Sequence, residues 1–334
     1  MTPGRRAIAV LGLAALATFP VTARQAARGG AAQASAAQAG ADQAAQERSS
    51  QIFRGGTDTV FLNVTVVDAA GHLVGGLTAD DFEVYEDNVR QKVENFAADP
   101  QPIALSILFD TSTSMDQKLE IAQAAAIGFV RRLGPHDEAQ IVDFDSQVTV
   151  RQQYTNDVAA LEKAIRSTQA GGSTSLYMAL YTALKDRDLR PEAEVPGGGI
   201  RRFAIVVLSD GEDTTSRLDY EEVLDGAKRS DSVVYAIGLR APDESRRTGF
   251  RESEFVLRTL SQETGGRVFF VDDAKQLPDI YEQIATELAN QYAIGYTSTN
   301  TRRDGTWRTV QVRVSRPGTV ARTRAGYFAA KGRP

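Results

Sequence analysis

The feature that most constrains the fold is an apolar run, Ile103–Phe109, which contains a single polar residue, Ser106, and is followed at once by Asp110 and a string of hydroxyl-bearing residues. Pro100 and Pro102 precede the run, and apolar residues at helical spacing follow it. A short run of bulky and β-branched residues is typical of a strand that is buried on both faces of a parallel sheet. Ligand sites in open α/β sheets lie at the carboxyl ends of such strands, so we predict a functional loop at residues 110–114.

The rest of the chain divides by its hydrophobic period. Strand and helix patterns alternate over residues 100–291, which predicts an α/β domain with a parallel sheet. Residues 57–99 and 292–328 show the two-residue alternation of strands, with Val89–Phe96 and Val320–Tyr327 each predicted as one strand. Neither segment is large enough for a stable core of its own. We therefore predict that the two segments pack together as a small β-sandwich, with the α/β domain inserted between them.

The first residues have the pattern of an export signal. A positively charged start precedes the apolar stretch Ala7–Phe19, and Val21 and Ala23 are small residues at the positions required for cleavage after Ala23. The apolar stretch is shorter than the roughly 20 residues of a membrane-spanning helix. We predict a cleaved signal peptide at residues 1–23, with no stable transmembrane span after cleavage; a retained anchor is the alternative. The Ala- and Gln-rich residues 24–56 are predicted to be a disordered linker.

The composition excludes several classes of function. The formal net charge of −5 makes binding of nucleic acid through a basic face unfavourable. The chain has no cysteine, so it can form neither disulfides nor a catalytic thiolate. It has only two histidines, which disfavours a His-rich zinc site.

Three loops carry residues suited to chemistry, and each is expected at an end of the predicted sheet. One follows the first buried strand, one precedes a helix, and one follows a second apolar strand. They are Asp110-Thr111-Ser112-Thr113-Ser114, Gly171-Gly172-Ser173-Thr174 and Ser209-Asp210-Gly211. Hydroxyl and carboxylate oxygens are hard ligands of the kind that Mg²⁺ and Ca²⁺ prefer.

Together, these three motifs resemble the von Willebrand factor type A domain and its metal-ion-dependent adhesion site. The family pattern is Asp-x-Ser-x-Ser, then a Thr, then an Asp at a strand end, and the resemblance covers about residues 101–291. It implies a doubly wound, mostly parallel sheet with one divalent cation at its top edge. The flanking stretches, including Leu77–Glu86 and Tyr292–Tyr296, resemble a bacterial group of exported VWFA-related proteins.

The resemblance also implies a role for each residue of the site. Ser112 and Ser114 would bind the cation directly, and Thr174 would bind it directly or through water. Asp110 and Asp210 would accept hydrogen bonds from metal-bound water or from the serines, and sometimes ligate directly. The expected cofactor is Mg²⁺, with Mn²⁺ or Ca²⁺ as alternatives.

Two positions in the loops leave questions open. Thr113 stands where many relatives have Gly, and its side chain is expected to tighten the loop. Ser173 competes with Thr174 for the role of ligand, because both lie in the second loop. Glu212 and Asp213 are expected to be solvated loop charges.

The function expected from these features is that of an exported, non-enzymatic binding module. A cation held mainly by neutral hydroxyls keeps much of its charge and can accept an Asp or Glu carboxylate from a protein or peptide partner. The protein is expected in the periplasm, or secreted, in association with the cell envelope. Two alternatives stay open: a Mg²⁺-dependent phosphoryl-transfer enzyme with Asp110 as nucleophile, and a metal-free scaffold.

Overall fold

The computed structural model describes residues 59–189, 201–210, 213–240 and 248–331. The predicted signal peptide and the predicted linker lie outside the described residues, as do Gly211 and Glu212. Of the helices in the described part of the chain, none combines the length and the hydrophobicity that are needed to span a membrane.

In the described residues, strands and helices follow one another in the order that the sequence predicts. The strands are β1 (Thr59–Asp68), β2 (Phe82–Glu86), β3 (Val89–Gln91), β4 (Val93–Ala97), β5 (Ile103–Asp110), β6 (Glu138–Phe144), β7 (Val148–Thr155), β8 (Arg202–Ser209), β9 (Val233–Leu239), β10 (Val268–Val271), β11 (Tyr292–Thr297), β12 (Trp307–Val314), β13 (Thr319–Arg322) and β14 (Gly326–Phe328). The helices are α1 (Leu119–Val130), α2 (Val158–Arg166), α3 (Leu176–Leu189), α4 (Tyr220–Arg229), α5 (Thr248–Thr264) and α6 (Leu277–Ala289).

A six-stranded sheet in the order β10-β9-β8-β5-β6-β7 forms the centre of the α/β part. The strands are parallel except for β7, which pairs antiparallel with β6 at one edge. Every residue of β5 and of β8 is buried, as expected for central strands covered on both faces. The apolar run Ile103–Phe109 is therefore a central strand of this sheet.

Helices cover both faces of the sheet. Helices α1, α2 and α6 pack on one face, and α3, α4 and α5 pack on the other. Alternate residues of β5 enter the two cores: Ile107 and Phe109 pack with the first set of helices, and Leu108 packs with the second. The predicted doubly wound, mostly parallel fold is confirmed.

Strands from the two ends of the described chain pair with one another. They form two antiparallel sheets, β13-β1-β11-β4 and β14-β12-β2-β3. Strand β1 pairs with β11, and β2 pairs with β12, so neither end of the chain supplies a complete sheet. A single apolar core joins these strands, and within it the rings of Phe82, Phe96 and Tyr292 lie 5.2–5.8 Å apart.

Two strands predicted as continuous are each divided in two. Val89–Phe96 is split into β3 and β4, and Val320–Tyr327 is split into β13 and β14. The reason is the same in both cases, because β3 and β14 belong to one sheet whereas β4 and β13 belong to the other. The chain crosses from sheet to sheet at these points, and the break in pairing is the corner that such a crossing requires.

The paired terminal strands contact the α/β part at the ends of its helices. The amide of Ala325 donates a hydrogen bond to the carbonyl of Glu263 near the end of α5 (3.0 Å), and Arg322 is paired with Glu287 near the end of α6. Helices in a parallel α/β unit run antiparallel to the strands. The carboxyl ends of the helices therefore lie at the edge of the sheet opposite to the carboxyl ends of the strands. The edge that carries the three predicted loops is therefore distant from these contacts.

Candidate functional site

The first loop begins where β5 ends. Asp110 is fully buried, and its Oδ1 accepts a hydrogen bond from the amide of Ser112 at 2.9 Å. The chain then turns through a short 3₁₀ segment, Thr113–Met115, in which the Met115 side chain is fully buried. This anchor holds the loop against the core, while Ser114 is exposed to solvent. The arrangement presents one buried and one exposed hydroxyl on the same turn.

A chain of short hydrogen bonds joins the first loop to the end of β8. The hydroxyl of Ser114 donates to Oδ1 of Asp210 at 2.7 Å, and the hydroxyl oxygens of Ser112 and Ser114 are 3.0 Å apart. Ser209 donates to Oδ2 of Asp110 at 2.6 Å. Asp110, Ser112, Ser114 and Asp210, predicted from separate motifs, are thus brought into one cluster at the strand ends.

The second loop is tied to the first by its backbone. The amide of Gly171 donates to the carbonyl of Thr111 at 2.7 Å, and the Thr113 hydroxyl donates to the carbonyl of Gly172 at 2.9 Å. The side chain at the position where many relatives have Gly therefore joins two loops. Gly172 has a φ of +72°, and a Cβ there would lie 2.7 Å from the Ser146 hydroxyl. The loop is held between the first loop and the β6–β7 hairpin.

The structure separates the two candidate residues of the second loop. Thr174 is buried, whereas Ser173 is exposed and its amide donates to the Ser146 hydroxyl on the hairpin side. The Thr174 amide donates to the Thr214 hydroxyl at 3.0 Å, and the Thr174 carbonyl accepts from the amides of Thr214 and Thr215. Thr174 therefore lies where the second loop meets the segment that follows Asp210.

Asp213 is not a solvated loop charge, contrary to the expectation from the sequence. Its Oδ2 accepts hydrogen bonds from the amide of Tyr177 at 2.7 Å and from the hydroxyl of Ser216 at 2.6 Å, and its Oδ1 accepts from the amide of Ser216. Tyr177 lies in the first turn of α3, where free amides attract a carboxylate. Asp213 thus fixes the third loop to the helix that follows the second. Glu212 lies outside the described residues.

The electrostatics of the site are dominated by two buried acids. Burial raises the pKa of Asp110 to about 6, although hydrogen bonds from Ser112 and Ser209 act in the opposite direction. The side chain of Asp210 is fully buried as well, and Lys118 Nζ lies 2.5 Å from its Oδ2. Lys118 was not predicted from the sequence, because a lysine just before a helix has no local mark of such a role.

The atoms in the cluster are oxygens suited to a hard cation. Among the described residues there is no group of three or more His, Cys, Asp or Glu side chains that could hold a metal ion. A cation at this edge would instead combine the two carboxylates with hydroxyl oxygens, and Ser112 and Ser114 already offer two of them 3.0 Å apart. That donor set is the kind that Mg²⁺, Mn²⁺ and Ca²⁺ accept.

The fold and the position of the cluster define a doubly wound α/β protein whose candidate site lies at the strand carboxyl ends. A family model of the von Willebrand factor type A domain matches residues 104–283, and the chain belongs to that family. Domains of this family are typically modules for adhesion and protein interaction.

Relatives of the chain come from distant organisms. Inter-alpha-trypsin inhibitor heavy chain H4 of Bos taurus is 26% identical over 205 residues, and an uncharacterized protein of Synechocystis is 25% identical over 194 residues. These matches span 58% and 57% of this chain, but only 21% and 42% of the relatives. Among solved structures, a von Willebrand factor type A protein from Catenulispora acidiphila is similar, with a TM-score of 0.48 and 13% identity, covering 83% of this chain and 76% of that one.

Proposed function

We propose that this protein is a metal-dependent binding protein that uses a divalent cation to hold a carboxylate of a protein or peptide partner. Ser112, Ser114 and Thr174 provide hydroxyl ligands, and Asp110 and Asp210 provide the negative charge. The observation that carries the proposal is the hydrogen-bonded chain from Ser112 through Ser114 to Asp210. It joins residues from two distant motifs at the edge where ligands of such sheets bind.

The chain's own residues divide the work in this proposal. The two aspartates are buried and keep their oxygens directed by hydrogen bonds from Ser112, Ser209 and Ser114. Ser114 is exposed, so the cluster opens to solvent on its side. When bound, the cation would supply a positive centre with which an incoming carboxylate makes a charge-assisted contact.

The position of the cluster also suits a docking role. The paired terminal strands contact the ends of α5 and α6, at the edge of the sheet away from the cluster. A partner can therefore approach the cluster without meeting these strands. A few residues usually carry most of the binding energy of a protein interface, so one such anchor can support a modest interface.

The phosphoryl-transfer alternative is disfavoured by the state of Asp110. A nucleophilic carboxylate has to reach its substrate, but Asp110 is fully buried and each of its oxygens accepts a hydrogen bond. We therefore propose a binding protein and not an enzyme, acting outside the cytosol as the predicted signal peptide suggests.

The first test is isothermal titration of Mg²⁺, Mn²⁺ and Ca²⁺ into the protein that starts at residue 24. We expect binding near one equivalent, and loss of that binding in the Ser112→Ala/Ser114→Ala variant. A matched control removes two serines elsewhere: Ser167→Ala/Ser315→Ala should bind as the wild type does. Folded wild-type protein that binds none of the three cations would leave the metal-free scaffold as the remaining interpretation.

A partner search follows from the same titration. Acidic peptides that carry a free Asp or Glu side chain should be retained by immobilised protein in Mg²⁺ or Mn²⁺ and released by EDTA. The same peptides with Asn or Gln should not be retained. Retention that ignores both the cation and the carboxylate would contradict the proposed mode of binding.

A further inference from the structure

A lysine of the chain itself occupies part of the candidate site. The Nζ of Lys118 lies 2.5 Å from Oδ2 of Asp210, and Oδ1 of the same carboxylate accepts from Ser114. Both oxygens of this buried acid are therefore engaged by the chain's own groups. A buried carboxylate without a counter-charge is costly, so the ammonium stabilises Asp210 in the absence of any other cation.

The backbone of Lys118 is fixed, whereas its side chain has a route to water. Its amide donates to the carbonyl of Met115 at 2.9 Å, and its carbonyl accepts from the amide of Ala122 at 3.0 Å. Met115 is fully buried, so the root of the lysine side chain is anchored at the rim of the site. The Lys118 side chain is 23% exposed, while that of Asp210 is 0% exposed. Rotation about the lysine stem can thus move the ammonium into solvent.

We propose that the ammonium group of Lys118 pairs with Asp210 in the metal-free protein and that a divalent cation must displace it. This inference rests on the proposed metal-dependent function and adds a determinant of its affinity. A divalent cation and an ammonium on the same carboxylate repel each other strongly at such separations. Lys118 therefore lowers the affinity for a divalent cation and stabilises Asp210 in the metal-free site.

The test compares cation affinity in variants at position 118. Mn²⁺ and Mg²⁺ are titrated into the wild type, Lys118→Met and Lys118→Arg, with Lys163→Met as a control that removes an exposed lysine from α2. We expect Lys118→Met to bind about 10-fold more tightly or better, whereas Lys118→Arg and Lys163→Met stay within about threefold of the wild type. Lys118→Gln is measured in parallel, so that a folded neutral variant is at hand if the Met variant fails to fold.

A second readout does not depend on affinity. Melting temperatures are measured in EDTA and in saturating Mn²⁺. The neutral variants should melt below the wild type in EDTA, because Asp210 then lacks a counter-charge, and should gain more from Mn²⁺ than the wild type does. Lys163→Met should show neither change.

The outcomes separate this inference from the proposed function. Binding in the neutral variants that is tighter than in the wild type supports displacement. Equal or weaker binding in the neutral variants overturns the role of Lys118, while the metal site itself stands because the wild type binds. If neither the wild type nor the neutral variants bind a cation, both proposals fail.

Discussion

At the scale of single residues, Asp110 shows how burial and function oppose each other. Its carboxylate is fully buried, and its two oxygens accept hydrogen bonds from Ser112 and Ser209. These bonds favour the ionised form, but burial outweighs them and raises the pKa to about 6. In the metal-free protein, ionisation of this carboxylate therefore lowers the free energy of unfolding. A bound divalent cation would offset that loss.

This residue gives a pH dependence with a definite sign. Because the folded-state pKa lies above the ordinary value of 3.8, folded protein binds the proton more tightly between pH 4 and pH 6. The contribution of Asp110 to the free energy of unfolding should fall by at most about 3 kcal/mol as pH rises through that window. Above the window it should stay constant.

Urea unfolding in EDTA from pH 4.5 to pH 8 measures this contribution as the difference between the wild type and Asp110→Asn. We expect the free energy of unfolding of the variant to rise relative to that of the wild type as pH rises towards 7. In saturating Mg²⁺ we expect the wild type to be the more stable of the two. A difference that does not change with pH would show that Asp110 titrates as an ordinary carboxyl.

The sequence identifies residues of the site when they lie in short motifs, and misses those that arrive through tertiary structure. Asp110, Ser112 and Ser114 form one motif, and Asp210 follows an apolar strand, so their meeting could be predicted from the fold class. Lys118 meets Asp210 only because the start of α1 and the end of β8 are neighbours in space. Nothing in the residues around the lysine encodes that approach.

At the scale of elements, three loops form one connected surface above the sheet. The first loop holds the second through Thr113 and Gly172, and the third holds the second through Thr214 and Thr174. The predicted strand and helix order was correct because apolar periodicity is local. The divided strands could not be predicted, because a sheet-to-sheet crossing depends on partners far along the chain.

Gly172 leaves little room for a side chain in the second loop. Gly172→Ala forces a positive φ on an L-residue and brings a Cβ within 2.7 Å of the Ser146 hydroxyl. We expect a loss of about 1–2 kcal/mol in the free energy of unfolding and weaker cation binding, because the second loop must shift.

The neighbouring Gly171 is the matched control. No atom lies within 4 Å of the position that a Cβ would take there, and its φ is not positive, so Gly171→Ala should change the free energy of unfolding by about 0.5 kcal/mol or less. Urea unfolding and Mn²⁺ titration of both variants make the comparison. Equal effects of the two substitutions would contradict the contact with Ser146.

At the scale of the whole molecule, buried polar groups connect the terminal strands to the α/β part. Glu287 of α6 accepts hydrogen bonds from Tyr235 of β9 at 2.7 Å and from Thr65 of β1 at 3.3 Å, and it pairs with Arg322 of β13. One carboxylate thus contacts a helix, the central sheet and the paired terminal strands. Burial, together with the proximity of Glu287, raises the pKa of Tyr235 well above its ordinary value.

Breaking this junction should destabilise the entire protein. Arg322→Met leaves Glu287 buried without its cation, and we expect a loss of about 2–4 kcal/mol in the free energy of unfolding. Arg316→Met, which removes an exposed arginine from the turn before β13, should cost about 0.5 kcal/mol or less.

The double variant Glu287→Gln/Arg322→Met should recover part of the loss, because no unpaired charge then remains. Urea unfolding measures all three variants. A loss in Arg322→Met no larger than that in Arg316→Met would show that the pair does not hold the two parts together.

The pairing of β1 with β11 also dictates an order of events when the chain is made. Val64 finds its partner only when Tyr292 has been synthesised, and β2 waits still longer for β12. Until then β1 and β2 lack their hydrogen-bonded partner strands and the apolar side chains that complete their core. The strands of the intervening α/β part have by then all been made. Strands β1 and β2 therefore stay without these partners until β11 and β12 are available, and the pairing with those late strands is the event that closes the fold.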